Sequence, residues 1–247
     1  MALLRRAVGA ASRRLDRPEL LSALYPAARQ AEHDAIGIAA VLAAVLGSDS
    51  TYVDIGANRG QVLADAVRVA PRASHIAFEP IPSLADEVAS RFPTVDCRRL
   101  ALGARPETAR FCHFQKLDGW SGLHRNEQIS DEQGEPVFID VQVSTLDAEL
   151  HETPPTVIKI DVEGAELDVL AGGRAVLGRH RPLLIFEHVP ATAQAYGASP
   201  GAIWDLLSEL GYAIFATTGA GPFARSGFLG AGGVVNWLAR ADGERTG

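Results

Sequence analysis

Short runs of β-branched and apolar residues alternate with longer stretches of helical spacing from Thr51 onward, the pattern of crossover units that build a parallel sheet. The runs are Thr51 to Ile55, His75 to Phe78, Val95 to Arg98, Val157 to Asp161 and Leu183 to Glu187. Helical spacing fills the intervals Gly60 to Ala70, Ser83 to Arg91, Ala165 to Leu177 and Pro200 to Leu210. Between Thr108 and Leu150 the alternation breaks. There Arg110 to Phe114 and Val137 to Val143 read as strands joined by a polar, glycine-containing loop, which predicts an inserted β-hairpin. Two more strands, Tyr212 to Thr217 and Val234 to Ala239, follow around a glycine-rich turn. Ahead of the sheet, Leu20, Leu21, Leu24 and Ala28 form a helical stripe, with Pro18 suited to a helix start and Gly47 to a helix stop. The expected organisation is a helical extension over 1–47, acting as a lid on one side of the sheet, and an α/β domain over 48–247.

Composition supports a globular reading: 47% of the 247 residues are hydrophobic, 21% charged and 6% aromatic, which excludes disordered, collagenous and disulfide-scaffold classes. The two cysteines, Cys97 and Cys112, belong to no metal-binding pattern and suit free thiols in a reducing cytoplasm. The net charge of -7 is uneven, since residues 1–17 carry five arginines against Asp16. Between Asn126 and Glu152 there are eight carboxylates and no lysine or arginine. A surface of that kind repels polyanions, so nucleic acid is not an expected partner. The basic start lacks the apolar core and cleavage site of a secretory signal. The longest apolar run, Ala35 to Leu46, is far short of the roughly 20 residues that span a bilayer. A cytoplasmic protein without a transmembrane segment is the expectation, with the apolar helical extension available as a homodimer contact.

Chemistry concentrates where strands end. Val53-Asp54-Ile55-Gly56-Ala57-Asn58-Arg59-Gly60 is a strand that ends beside a carboxylate and turns through Gly-x-Asn-x-Gly into a helix. Nineteen residues after Gly60, Glu79 closes the next strand, where a ribose diol lies in dinucleotide folds. A nicotinamide oxidoreductase would carry Gly-x-Gly-x-x-Gly; here Asn58 replaces the middle glycine, and Asp54 would repel a diphosphate while suiting a cationic head. A ligand with a ribose, an amino group and a sulfonium is S-adenosylmethionine.

The second constellation is Lys159-Ile160-Asp161-Val162-Glu163, whose alternation puts Lys159, Asp161 and Glu163 on one side. Charged groups on an apolar strand are costly unless paired or functional, and Asp161 is near enough to pair Lys159. The third is Leu183 to Glu187 followed by His188. Because ligands bind outside the carboxyl ends of parallel strands, Asp161, Glu163, Glu187 and His188 are expected to converge with Asp54 and Glu79. His188 has the ordinary pKa that suits deprotonating a hydroxyl, so it is the expected base, with Glu187 or Asp161 orienting and Glu163 as a second candidate. Asp161, Glu187 and His188 offer a divalent metal an alternative place, although a metal-free site is the expectation. Trp120, Phe114 and His124 suit a sugar-binding face.

In this order, Val-Asp-Ile-Gly-Ala-Asn-x-Gly, Phe-Glu-Pro, Ser-Thr-Leu-Asp and Lys-Ile-Asp-Val-Glu-Gly-x-Glu-x-x-Val-Leu resemble the FkbM family of methyltransferases from about Thr51 to Leu238. The resemblance implies a class I, Rossmann-like fold with a seven-stranded, mostly parallel sheet whose last strand is antiparallel. It also implies O-methylation of a hydroxyl on a sugar, glycoside or secondary metabolite, polyketides included. Carried over by position, Asp54, Gly56, Asn58 and Gly60 form the methionine-side loop and Glu79 takes the ribose hydroxyls. Leu100 and Ala101 lie beside adenine, and Ser121 falls in a stretch that is serine-rich in the family. An N-methyltransferase acting on amides or bases would resemble a Pro-Pro-aromatic pattern after the fourth strand, where this chain has Asp161-Val162-Glu163-Gly164.

Overall fold

A computed structural model describes residues 26–115, 118–124 and 135–241, with side chains from residue 33. Leu20, Leu21, Leu24, Pro18 and the arginines of residues 1–17 lie outside the described residues, as does the side chain of Ala28. Helix α1 spans Pro26–Val45 and ends two residues before Gly47. Seven strands form the main sheet: β1 (Thr51–Ile55), β2 (Ser74–Phe78), β3 (Asp96–Arg98), β7 (Val157–Ile160), β8 (Leu183–Glu187), β9 (Tyr212–Ala216) and β10 (Asn236–Ala241). Their order is β3-β2-β1-β7-β8-β10-β9, with β10 antiparallel to both of its neighbours. The order reverses between β1 and β7, which pair in parallel from Tyr52 opposite Val157 to Ile55 opposite Ile160. At such a switch point the flanking connections leave on opposite faces and a crevice opens above the strand ends.

Strand alternation sends Val53, Ile55, Ile158, Ile160, Leu184 and Phe186 into one core and Tyr52, Val157 and Ile185 into the other. The second core is closed by Ile38 and Leu42 of helix α1 and by Leu46 just after it, together with Leu63 and Ala66 of helix α2 (Gln61–Val69). Helix α1 is pinned by buried Asp34, which accepts from Thr217 Oγ1 at 3.0 Å and from Asn236 Nδ2 at 3.1 Å. Those bonds reach β10 and the residue that follows β9, across more than 180 residues of sequence. No helix among the described residues is long and apolar enough to cross a membrane.

Helix α3 (Pro82–Arg91) follows β2. The inserted hairpin is present as β5 (Glu107–His113) against β6 (Val137–Ser144), and β4 (Ala101–Leu102) joins it as a third strand parallel to β6. Helix α4 (Leu146–Leu150) follows, capped by the Thr145 hydroxyl, which accepts from Ala148 N–H. The next residues of that motif are structural too: the Asp147 carboxylate accepts from Ala175 and Val176 N–H, holding the start of helix α6 (Arg174–His180). The helix expected over Ala165 to Leu177 is therefore two, α5 (Glu166–Ala171) and α6, separated at Gly172–Gly173. A Cβ on Gly173 would stand 2.5 Å from Leu146 Cδ2, so the break lets α4 pack close. Three short elements complete the fold: α7 (Pro190–Ala195), α8 (Ala202–Glu209) and α9 (Arg225–Gly230), the last within the expected glycine-rich turn.

Candidate active site

The carboxyl ends of β1, β2, β7 and β8 open into a cavity of about 380 Å³, within the size range of small-molecule sites. Glu79, at the end of β2, is buried, and both of its oxygens are engaged: Oε2 accepts from Asn58 N–H at 2.7 Å and Oε1 from Ile81 N–H at 2.9 Å. Each oxygen keeps a second lone pair. Asn58 occupies the left-handed region with φ 51°, a conformation asparagine tolerates. Burial pushes the Glu79 carboxyl up to about 7, against the pull of those two N–H bonds.

At the other end of the cavity, Lys159 on β7 ties three segments together. Its Nζ stands 3.3 Å from Asp54 Oδ1 and 3.2 Å from Asp161 Oδ2, and it donates to the Gly56 carbonyl at 3.4 Å. Burial alone would lower its pKa, but Asp161 and Asp54 hold it above the usual lysine range. It is a fixed cation and a poor base. Burial raises the Asp54 carboxyl in spite of Lys159, and Asp54 lies beneath Lys159, outside the cavity lining. Asp161 does line the cavity; burial would raise its carboxyl, yet Lys159 and a hydrogen bond with Glu187 bring it below the ordinary aspartate value.

Asp161, Glu163 and Glu187 each present a carboxylate oxygen, all within 4.8 Å of one another, a set that could also hold a divalent cation. Burial, followed by the neighbouring acids, raises Glu163 and Glu187 well above ordinary glutamate values. Beside them, Glu166 accepts from Val162 and Gly164 N–H through Oε1, while its buried Oε2 has no partner. Burial lifts Glu166 to about 7.

Raised carboxyl pKa values have a stability consequence. The folded protein holds protons on Glu79 and Glu166 that the unfolded chain releases near 4.5. Their contribution is complete below that value and is lost as pH rises through about 7, at roughly 1.4 kcal/mol per pKa unit. Thermal unfolding is expected at lower temperature at pH 8 than at pH 5.5, and Glu166→Gln, an uncharged acceptor of the same shape, is expected to flatten that slope.

The glycines of the first turn make room for neighbouring chain. Gly56 has φ 76°, and a Cβ there would stand 1.9 Å from the Asp161 carbonyl oxygen. Gly60 has φ 69°, and its Cβ would meet the Phe92 ring at 2.7 Å. Gly56 lines the cavity and Gly60 does not. Gly56→Ala is expected to lower stability by about 3 kcal/mol or more, through positive φ and forced separation of β1 from β7, measured by chemical denaturation.

Leu100, Ala101 and Ser121 also line the cavity. Ser121 Oγ accepts from Phe114 N–H at 3.0 Å, fixing the end of β5. One expectation fails outright. Glu187 and His188 are consecutive on an extended strand, so they face opposite sides of the sheet. Glu187 enters the cavity, whereas the His188 ring stacks on Phe228 at 5.4 Å and lines a separate cavity. His188 does not line this cavity and is not part of its acidic cluster. Several wall residues carry no local sequence signal: Ala35 and Ile38 of α1, Asp65 of α2, and Asp118, which Arg59 and His113 hold at 2.5 and 3.1 Å.

Comparison with known proteins adds a family. The model of the FkbM methyltransferase domain matches residues 54–214. Methyltransferase 1 of Beauveria bassiana is 28% identical over 145 residues, covering 50% of this chain and 58% of its own length. Methyltransferase sdnD of Sordaria araneosa is 30% identical over 159 residues, covering 51% and 61%. The chain thus spans less than two thirds of either relative. Among solved structures, an FkbM methyltransferase from Methylobacillus flagellatus has a TM-score of 0.48 at 16% identity, over 79% of this chain and 44% of that one.

Proposed function

Because the chain belongs to the FkbM methyltransferase family, we propose that it transfers a methyl group from S-adenosylmethionine to a hydroxyl of a sugar, glycoside or other secondary metabolite. The observation that carries this reading is the excess of acid at one end of the cavity. Asp161, Glu163 and Glu187 converge there, and Lys159, their nearby cation, is already shared with Asp54. Such a wall suits a ligand with ammonium and sulfonium groups and leaves carboxyl oxygens to accept a hydroxyl proton. At the opposite end, the free lone pairs of Glu79 suit a ribose diol. Ile81, Leu100, Leu102 and Phe111 supply an apolar wall for a purine ring.

When bound, the methyl donor supplies an electrophilic methyl group on a cationic sulfonium. Asp54, Lys159 and Gly56 hold the β1 and β7 ends in register. Asp161, kept ionised by Lys159, accepts a hydrogen bond from the acceptor hydroxyl and orients it. Glu187, which burial and the neighbouring acids make a stronger base than an ordinary glutamate, is placed to take the hydroxyl proton. Incubation with the methyl donor and a panel of glycosides and macrolide alcohols is expected to give a one-methylene mass gain on oxygen. Gain on nitrogen in acceptors offering both groups would overturn the O-methyl assignment.

Because Lys159 already offsets Asp161, turnover is expected to survive a chelator such as EDTA within about twofold. Loss of activity restored by a divalent cation would reassign the cluster to a metal.

A further inference from the structure

The acidic cluster divides the cavity lengthwise. Strands succeed one another in the order β2, β1, β7, β8, β10, so the lining runs from Glu79 at the end of β2, through Asp161 after β7 and Glu187 on β8, to Asn236 on β10. At about 4.8 Å per strand that is a span of roughly 19 Å. With the nucleoside at the β2 end, against Glu79 and its apolar wall, the sulfonium falls at the acids. The end between β8 and β10 is left for the molecule that receives the methyl group.

That far end is built by residues outside the stretch 54–214 that matches the family. Asn236 lines it, and buried Asp34 accepts from Asn236 Nδ2 at 3.1 Å, which brings helix α1 to the same place. Ala35 lines the cavity directly after Asp34, and Ile38 does so about one turn on. The docking is close: a Cβ on Gly37 would stand 3.1 Å from both the Cβ and the carbonyl oxygen of Thr217, and Leu42 is fully buried. A helix held by a buried carboxylate and by so near a contact presents Ala35 and Ile38 as a fixed wall.

Charge narrows what this end accepts. Lys159 is the one lysine or arginine among the described lining residues, and Asp54, Asp161 and the Gly56 carbonyl already engage it. An anionic acceptor would meet acids with no cation to spare. Helix α2, packed against α1, adds Gln61 and Val62 to the lining, so neutral amides and apolar side chains stand together there. We propose that Ala35 and Ile38 set acceptor specificity, and that the acceptor is an uncharged molecule with an apolar group near its reacting hydroxyl. This rests on the methyl-transfer reading and adds to it which end takes the acceptor, which residues select it and what charge it carries.

The test uses the full chain with S-adenosylmethionine, methyl and benzyl glycosides of glucose, galactose and rhamnose, and benzyl glycosides of glucuronic and galacturonic acid, with kcat/KM read from the one-methylene mass gain. The unsubstituted chain is expected to favour benzyl over methyl glycosides and to use each uronide at least about tenfold less well than the matching hexoside. Ala35→Leu, which fills the wall, is expected to lower kcat/KM for benzyl glycosides at least about tenfold, mainly through KM, with a smaller effect on methyl glycosides. Its affinity for S-adenosylhomocysteine, measured calorimetrically, is expected to stay within about twofold. A merely structural role would instead lower that affinity and both glycoside classes alike. Ile38→Val, which enlarges the same wall at small cost in stability, is expected to move the benzyl-to-methyl ratio the opposite way and decides the matter should Ala35→Leu not fold. Uronides used as well as hexosides, or a benzyl-to-methyl ratio that neither variant moves, would overturn the proposal. A chain that binds S-adenosylhomocysteine yet methylates no glycoside overturns the proposal alone, whereas one that does not bind it overturns the methyl-transfer reading as well.

Discussion

Glu79→Ala is expected to weaken binding of S-adenosylmethionine by at least about a hundredfold, with the fold retained. Two losses combine. The ligand's ribose hydroxyls lose a charged acceptor, and charge-assisted hydrogen bonds contribute roughly 1.5–3 kcal/mol each. The substitution also strands the Asn58 and Ile81 N–H groups, which now donate to Glu79 at 2.7 and 2.9 Å. Without that restraint the turn that follows β1 loosens. Glu79→Gln separates the two effects, since its amide retains one acceptor oxygen for the loop while removing the charge. Its affinity is expected to fall between those of the native chain and Glu79→Ala, measured calorimetrically at pH 8, above the raised Glu79 pKa of about 7.

The second large effect concerns neighbours in sequence that face opposite ways. Glu187→Gln is expected to reduce turnover by about a hundredfold or more, the lower range for loss of a general base, while donor affinity changes by no more than about threefold. His188→Gln, one residue on, is expected to leave turnover within about threefold, because its ring lies against Phe228 beyond the strand. A structural role for Glu187 would show instead as a shared loss of stability and affinity. Equal losses of turnover in both variants would contradict the assignment of faces.

The parallel sheet was legible because each strand carries its own signal: Val53, Ile55, Ile158 and Ile160 recur at the spacing of a buried strand, and Asp54, Glu79 and Asp161 mark where strands stop. The acidic cluster followed from the same strand ends. Alternation assigns Glu187 and His188 to opposite faces, so the end of β8 does not bring both to one cavity. Other features have no local signature. Asp118 joins the wall through Arg59, 59 residues away. Ala35 and Ile38 join it because Asp34 bonds Thr217 and Asn236, more than 180 residues away. The break between α5 and α6 depends on the approach of Leu146 to Gly173, a contact only tertiary packing creates.

The acidic cavity above β1 and β7 is expected to hold an adenosyl sulfonium compound or its thioether product. Parallel calorimetric titrations of the unsubstituted chain with S-adenosylhomocysteine and with NAD check this. The expected result is one saturable site per chain for S-adenosylhomocysteine and no heat of binding for NAD; saturation by NAD alone, or by neither compound, would contradict it.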